Sequence, residues 1–230
     1  MSFQSLDFVD KPMAMVGAGT HGRRITLMLA TRGAEVRLHD PNEEVRSEGV
    51  AFVGANLEPK ATKADGGYTG RAAGTATTEE AVPDSADLKQ RRVLRDLDAA
   101  ASPNAIIASN LSIFPGSELI DGVLRPERVL SSHFYMPPRV ILVELMSYGK
   151  TDPAVIQRII VVLPKFGLRP LHIQEESVGL IFNRVGAVIK RESLYVLAQG
   201  APPHPKFDEI FKLAIGARVL QKDGSSRACH

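Results

Sequence analysis

The sequence predicts an α/β protein: a doubly wound parallel sheet through residue 174, followed by a small helical domain over residues 175–230. Three observations carry this. Short apolar runs bounded by turn residues alternate with amphipathic stretches as far as Ile173, the pattern of buried parallel strands and their crossover helices. The first run, Met13–Val16, turns through Gly17-Ala-Gly19-Thr-His-Gly22 into a helical stretch and on to a second run, Glu35–Asp40. Beyond Glu175 the spacing changes, and Val178, Ile181, Phe182, Val185, Val188, Ile189 and Tyr195 mark one face of a long helix.

Taken in order, Met13–Val16 is a strand, Arg23–Thr31 a helix and Glu35–Asp40 a strand. Asn42–Gly54 reads as a helix with Glu43 and Glu44 in its first turn, where the helix dipole favours acids. Asp65–Gly74, with Gly66, Gly67, Gly70 and Gly74, reads as a loop. Asp84–Ala101 is a helix, with Leu88, Val93, Leu94 and Leu97 on one face and Lys89, Arg91, Arg92 and Asp96 on the other. Ser102-Pro-Asn104 ends it, and Ala105–Ser109 follows as a buried strand. Arg128–Ser132 and Val140–Met146 are two further strands, separated by Met136-Pro-Pro138. Asp152-Pro153 caps and starts a helix to Phe166 that Pro164 ends or kinks, and Leu168–Ile173 is a strand. Ser177–Gln199 is the long helix, Gly200–Pro205 a break and Phe207–Ala214 a short helix, with a polar tail from Arg218 to His230.

The glycine turn carries the first chemistry. Gly17 permits its tight bend, Gly19 lets the backbone approach a phosphate closely, and Gly22 lets the helix pack on the strand. The free N–H groups at the helix start then face the pyrophosphate of a dinucleotide. Asp40, ending the second strand, suits the two ribose hydroxyls and repels a 2′-phosphate, which argues NAD over NADP. Arg24, Arg37 and Arg46 lie near enough in sequence to soften that preference.

Composition bounds the rest. With 230 residues and 44% hydrophobic content the chain can bury a substantial core. A formal charge of +2 gives no footprint for nucleic acid or an anionic membrane. Cys229 is the only cysteine, which excludes an internal disulfide and fits a reducing compartment. No apolar run is long enough to span a bilayer, Met1–Lys11 lacks a signal-peptide core, and the final Ala-Cys-His is not a peroxisomal address. The expectation is a soluble, cytoplasmic protein.

In an open parallel sheet, ligands bind beyond the carboxyl ends of the strands. That rule selects Ser109-Asn-Leu-Ser112 and His133-Phe-Tyr135, with Glu144 in the following strand able to return to His133. A histidine that takes a hydroxyl proton while hydride leaves the same carbon needs a carboxylate to fix its tautomer and stabilise the imidazolium. Glu144 inside an apolar strand is hard to explain otherwise, because a buried carboxylate needs a partner. The sequence alone does not reveal partners for His39, His172 and His204, which default to structural roles.

Ser109-Asn-Leu-Ser112, His133-Phe-Tyr-Met-Pro137, Val143-Glu144 and Ile181-Phe-Asn-Arg184 occur in that order, with Arg125-Pro-Glu-Arg-Val129 leading into the histidine strand. In these motifs the chain resembles the L-3-hydroxyacyl-CoA dehydrogenase family over most of residues 13–216. The resemblance implies a Rossmann-type sheet, an NAD cofactor, no metal, and a place in fatty-acid metabolism. It implies His133 as general base, Glu144 as its orienting partner, and Ser112 and Asn183 as hydrogen-bonding partners of the reacting oxygen or of the histidine network. It further implies a cofactor site from Gly17, Gly19, Thr20, His21, Gly22, Asp40, Asn110 and Ser112, with Lys89 as its lysine and Asp84 where the family has a glutamate.

Two departures stand out. Between Gly74 and Lys89 the family has a helix and an apolar central strand, and this chain is short there by about ten residues; the strand is missing or rebuilt, and Thr75–Val82 could replace it at the cost of a poorer sheet. After Phe211–Gly216 the family continues into further helices that this sequence does not match, so the apolar face of the Asn183 helix must be buried on the sheet domain, buried in a homodimer, or left partly exposed. Two readings follow: an NAD-dependent dehydrogenase acting on a 3-hydroxyacyl-CoA or related hydroxy acid, or a shortened, impaired relative that binds a nucleotide and serves as an accessory protein.

Overall fold

The computed structural model describes residues 13–61, 70–75, 86–111, 115–200 and 204–220. It divides into two compact units, Met1–Leu180 and Ile181–His230. The first holds β1 (Met13–Val16), α1 (Thr20–Ala30), β2 (Glu35–His39), α2 (Glu43–Ala61), β3 (Arg71–Thr75), α3 (Ala86–Ala100), β4 (Ile107–Ser109), β5 (Val129–Phe134), β6 (Leu142–Ser147), α4 (Pro153–Val162) and β7 (Arg169–Ile173). The second holds α5 (Ile181–Ala198) and α6 (His204–Leu220).

The strands form two sheets, ordered β1-β2-β3 and β4-β5-β6-β7. All pairs are parallel except β5 with β6, which is antiparallel. That exception corrects the all-parallel expectation, and its cause is the short connection around Met136-Pro-Pro138: a parallel crossover takes a dozen or more residues, whereas an antiparallel return needs few. Among the described residues no strand lies between β1 and β4, where the sequence predicts the central strand to be missing or rebuilt. Thr75 ends β3 opposite His39 of β2 and so sits on the far side of β2 from β1; positions 76–82, the rest of the suggested substitute, lie outside the described residues.

One apolar core nevertheless ties both sheets together. Ile25 and Leu29 of α1 and Val36 of β2 pack with Leu130 and Phe134 of β5, Val143 and Leu145 of β6, and Val155 and Ile156 of α4. On the opposite face of β5, Val129 packs with Leu94 of α3, Ile107 and Tyr148. Covered on both sides, β5 is buried along its whole length.

A charged clamp fixes where β5 begins. Arg128, fully buried, donates from Nε and Nη2 to Asp98 Oδ1 at 3.1 and 2.6 Å, and from Nη2 to the Asp98 carbonyl at 2.7 Å. Asp98 also accepts the backbone N–H groups of Leu124 and Arg125 at 2.7 and 3.2 Å. Arg128 Nη1 donates to the carbonyls of Ser102 and Ala105. The end of α3, the approach to β4 and the start of β5 thus share one side chain.

The helices differ in extent from expectation, most of all α2 and α6. α2 runs to Ala61 rather than Gly54. α6 begins at His204 and continues to Leu220. Pro205 is tolerated because it lies in the first turn, where its missing N–H has no intrahelical partner to lose. Asp152 caps α4, accepting the Ala154 N–H at 2.8 Å, and Pro164 falls in a 3-10 turn that Gly167 closes at φ 71°.

Candidate active site

His133 is the penultimate residue of β5, and the antiparallel register sets Glu144 of β6 directly opposite it. Facing residues of an antiparallel pair bring their side chains together on one face of the sheet. His133 Nδ1 lies 3.6 Å from Glu144 Oε2, with the residues 8% and 3% exposed. That separation is ion-pair range, a few tenths of an ångström beyond a hydrogen bond, and such contacts in ligand-free sites tighten when substrate binds.

The electrostatics suit a base. Burial pushes the His133 imidazole below its ordinary value, the charge and hydrogen bonding of Glu144 push back, and the charge of His21 lowers it further. The net direction is down, so the ring is neutral at neutral pH.

Gly17 adopts φ +101°, open to glycine and strained for other residues. A Cβ on Gly22 would lie 1.7 Å from the Gly17 carbonyl oxygen, so α1 can approach β1 this closely only with glycine there. A Cβ on Gly19 would meet nothing within 4 Å. No side chain caps α1 and no acid occupies its first turn, which leaves the positive end of the helix dipole open over that space. Asp40 Oδ2 accepts the Ala18 N–H at 2.9 Å and Oδ1 the Asn42 N–H at 3.0 Å, locking the turn to the end of β2. Each oxygen keeps a second lone pair for a ribose hydroxyl. These features fit NAD.

Of the three arginines that lie near Asp40 or the turn in sequence, Arg46 donates to the Asp40 carbonyl at 2.8 Å, Arg37 pairs with Glu35 at 3.9 Å, and Arg24 lies 5.8 Å from the Phe52 ring centroid. Asn110 Oδ1 accepts the Phe134 N–H at 2.7 Å, tying the end of β4 to the residue after the histidine. Thr20 and His21 are exposed at the start of α1. Ser112 and Asp84 lie outside the described residues, and Lys89 lies in α3 with its side chain outside them. Asn183 lies in the first turn of α5, half-buried, in the second unit.

Residues 68–176 match the NAD-binding domain of 3-hydroxyacyl-CoA dehydrogenase. The chain is 29% identical to an L-carnitine dehydrogenase/betainyl-CoA thioesterase of Ruegeria pomeroyi, over 90% of this chain and 45% of that protein. It is 30% identical to the L-carnitine dehydrogenase of Pseudomonas putida, over 90% of this chain and 68% of that protein. The chain belongs to the 3-hydroxyacyl-CoA dehydrogenase family. Among solved structures, the (S)-3-hydroxybutyryl-CoA dehydrogenase of Ralstonia eutropha superposes with a TM-score of 0.71 at 26% identity, covering 89% of this chain and 77% of that one. The chain spans about half the length of the two-activity carnitine relatives and about two thirds of the single-activity one. The matched family domain begins after the glycine turn, so the turn's assignment rests on its own geometry. Among the described residues no helix is long and apolar enough to cross a membrane.

The sequence marks Tyr135 only as the end of His133-Phe-Tyr135, with no role of its own. Its ring is 4.9 Å from that of His133, centroid to centroid, at a 51° tilt. The signal was present in the two-residue period of a strand, which puts positions 133 and 135 on one face.

Proposed function

We propose that this chain is an NAD-dependent dehydrogenase that oxidises a secondary alcohol or reduces the matching ketone, with a 3-hydroxyacyl-CoA or a related hydroxy acid as substrate. The observation that carries the reading is the buried His133–Glu144 pair, 3.6 Å apart and opposite each other in register. Two ionisable groups so placed inside apolar strands have no structural purpose that an apolar pair would not serve better.

Bound NAD supplies the hydride acceptor. The Gly17–Gly22 turn and Asp40 would hold it, through backbone N–H groups toward its phosphates and a carboxylate toward its ribose. His133 directs Nδ1 at Glu144, which leaves Nε2 for the substrate hydroxyl. That nitrogen takes the proton during oxidation and returns it during reduction, while Glu144 stabilises the imidazolium. Ser112 and Asn183 are the family's remaining hydrogen-bonding positions, and both residue types are present in this sequence. We assign Met1–Leu180 the cofactor and the base, and Ile181–His230 the helical part of the family's second domain. The exposed apolar residues of α5, among them Val185, Val188 and Leu194, are the surface a homodimer would bury.

An NADH titration, followed by acetoacetyl-CoA reduction with the wild type and His133→Ala, tests the reading. Turnover by the wild type, lowered about a hundredfold or more in the variant, is expected of a general base. Tight NADH binding without turnover by either protein would favour the second reading, an accessory nucleotide-binding relative. Retention of serine, histidine, glutamate and asparagine at positions 112, 133, 144 and 183 opposes that alternative.

A further inference from the structure

The strand end that carries Asp40 also carries a cation. Asn42 caps α2, its Oδ1 accepting the Glu44 and Val45 N–H groups at 2.9 and 3.2 Å, so the helix starts just beyond Asp40. Gly49 keeps that helix close: a Cβ there would lie 2.9 Å from Leu38 Cδ2 and 3.1 Å from Ala18 Cβ. Arg46 lies between these two anchors, one turn after the cap. Its Nη1 donates to the Asp40 carbonyl at 2.8 Å, and its Cγ and Cδ lie 3.5 and 3.7 Å from where a Cβ on Gly74 would stand. Gly74 is in register with Leu38, so this side chain spans the carboxyl ends of β2 and β3.

An arginine bound to a carbonyl keeps its whole charge. Among the described residues no carboxylate comes within ion-pair range of Arg46, and the rest of its N–H fork has no protein partner. The other cations near the turn are engaged elsewhere. Arg37 pairs with Glu35, the first residue of β2, toward the other end of that strand. Arg23 and Arg24 lie 4.9 and 5.8 Å from the ring of Phe52, between α1 and α2. The Asp40 carboxylate, for its part, already accepts a backbone N–H at each oxygen.

We propose that Arg46 makes this a site for two cofactors: Asp40 takes the ribose hydroxyls of NAD, and Arg46 takes the 2′-phosphate of NADP, which the chain binds more weakly. The inference rests on the reading that the glycine turn and Asp40 hold a dinucleotide. A dinucleotide with its pyrophosphate at the start of α1 brings its adenine ribose to the end of β2. Asp40 repels a 2′-phosphate there, and Glu43 and Glu44, exposed in the first turn of α2, add to the repulsion and rank NAD first. A guanidinium at the same strand end offsets them with charge-assisted hydrogen bonds from a planar fork that matches phosphate. Its anchor is a backbone carbonyl, so Arg46 keeps its place whichever side chain stands at position 40. The acid and the cation therefore act as separate determinants.

The test is fluorescence titration of the full chain with NADH and with NADPH at one ionic strength, since salt screens both charges. The wild type is expected to bind NADH more tightly and NADPH with a Kd under about 1 mM. Arg46→Gln should weaken NADPH by about tenfold or more, the size of a hydrogen bond to a charged group, and NADH by less than about threefold. Arg46→Met, which keeps the stem over Gly74, repeats the test, and melting temperatures confirm that each variant folds. Arg37→Gln makes the same charge change away from this strand end and should leave the NADH to NADPH ratio in place. Asp40→Ser should bring NADPH level with NADH, and adding Arg46→Gln should undo that gain. A wild type that binds NADH and shows no NADPH binding at millimolar concentration overturns the proposal. So does a folded Arg46 variant that weakens both cofactors alike or leaves NADPH binding intact. Failure of the wild type to bind either cofactor sinks the dinucleotide reading and the proposal with it. Binding of both without turnover of acetoacetyl-CoA sinks the dehydrogenase reading alone.

Discussion

Glu144→Gln isolates the charge of the pair while keeping its shape. The carboxylate lies 3.6 Å from the His133 ring nitrogen in a buried setting. Two unit charges at about 4 Å are worth about 4 kcal/mol at an effective dielectric near 20. The imidazole carries only part of a charge in the transition state, so the loss should be about 2–4 kcal/mol, or about 30- to 1,000-fold in kcat. The assay is steady-state oxidation of 3-hydroxybutyryl-CoA across pH, with KM for NAD as control, because neither residue belongs to the glycine turn. Burial already holds the imidazole below its ordinary value and Glu144 opposes that. As pH falls through the His133 value the ring protonates, loses its capacity to accept a proton, and oxidation stops. Removing Glu144 withdraws an effect that raises this value, so the acid limb moves to lower pH. If kcat stays within about threefold of wild type, a change of under 1 kcal/mol, or if the limb moves to higher pH, the charge-stabilisation argument is refuted.

Two further outcomes follow from other parts of the first unit. Asp98→Asn leaves the guanidinium of Arg128, 0% exposed, without its counter-charge and should cost about 3–5 kcal/mol in denaturant unfolding. Burial works to raise the Asp98 carboxyl, and the Arg128 hydrogen bonds and the Leu124 and Arg125 N–H groups overcome it, so the net shift is downward. A depressed carboxylate contributes stability above its unfolded value of 3.8, lost as pH falls through the lower folded value, and the variant should lack that acid limb in urea midpoints measured down to strongly acid pH. The two turn glycines should separate fold from function. In Gly22→Ala the new Cβ meets the Gly17 carbonyl at 1.7 Å, which should lower stability by about 1–3 kcal/mol along with NADH affinity. In Gly19→Ala it meets no protein atom within 4 Å, so the melting temperature should hold while NADH affinity, read by fluorescence titration, falls.

What the sequence made legible is what short-range pattern encodes. The β1–α1–β2 unit spans Met13 to His39, and Gly17 and Gly22 of its turn each have one physical purpose that local spacing reveals. Glu144 was legible because a carboxylate in an apolar strand demands a partner, and His133 stood one short connection away, which the register confirms. The same logic went unused for Asp98 and Arg128. Asp98 lies near the end of an amphipathic helix and Arg128 at the start of a strand, positions where charge normally meets water, and their pairing across 30 residues leaves no trace in either period. The antiparallel step from β5 to β6 was legible in principle from Met136-Pro-Pro138, since so short a link forbids a parallel crossover. The extent of α6 was not, because proline at 205 signals a break everywhere except in the first turn, and only the helix itself shows which turn it occupies. Tyr135 falls between these cases. Its place beside the histidine follows from a period of two, but which residue of β6 faces position 133 is a matter of register, and that emerges only when the two strands are paired.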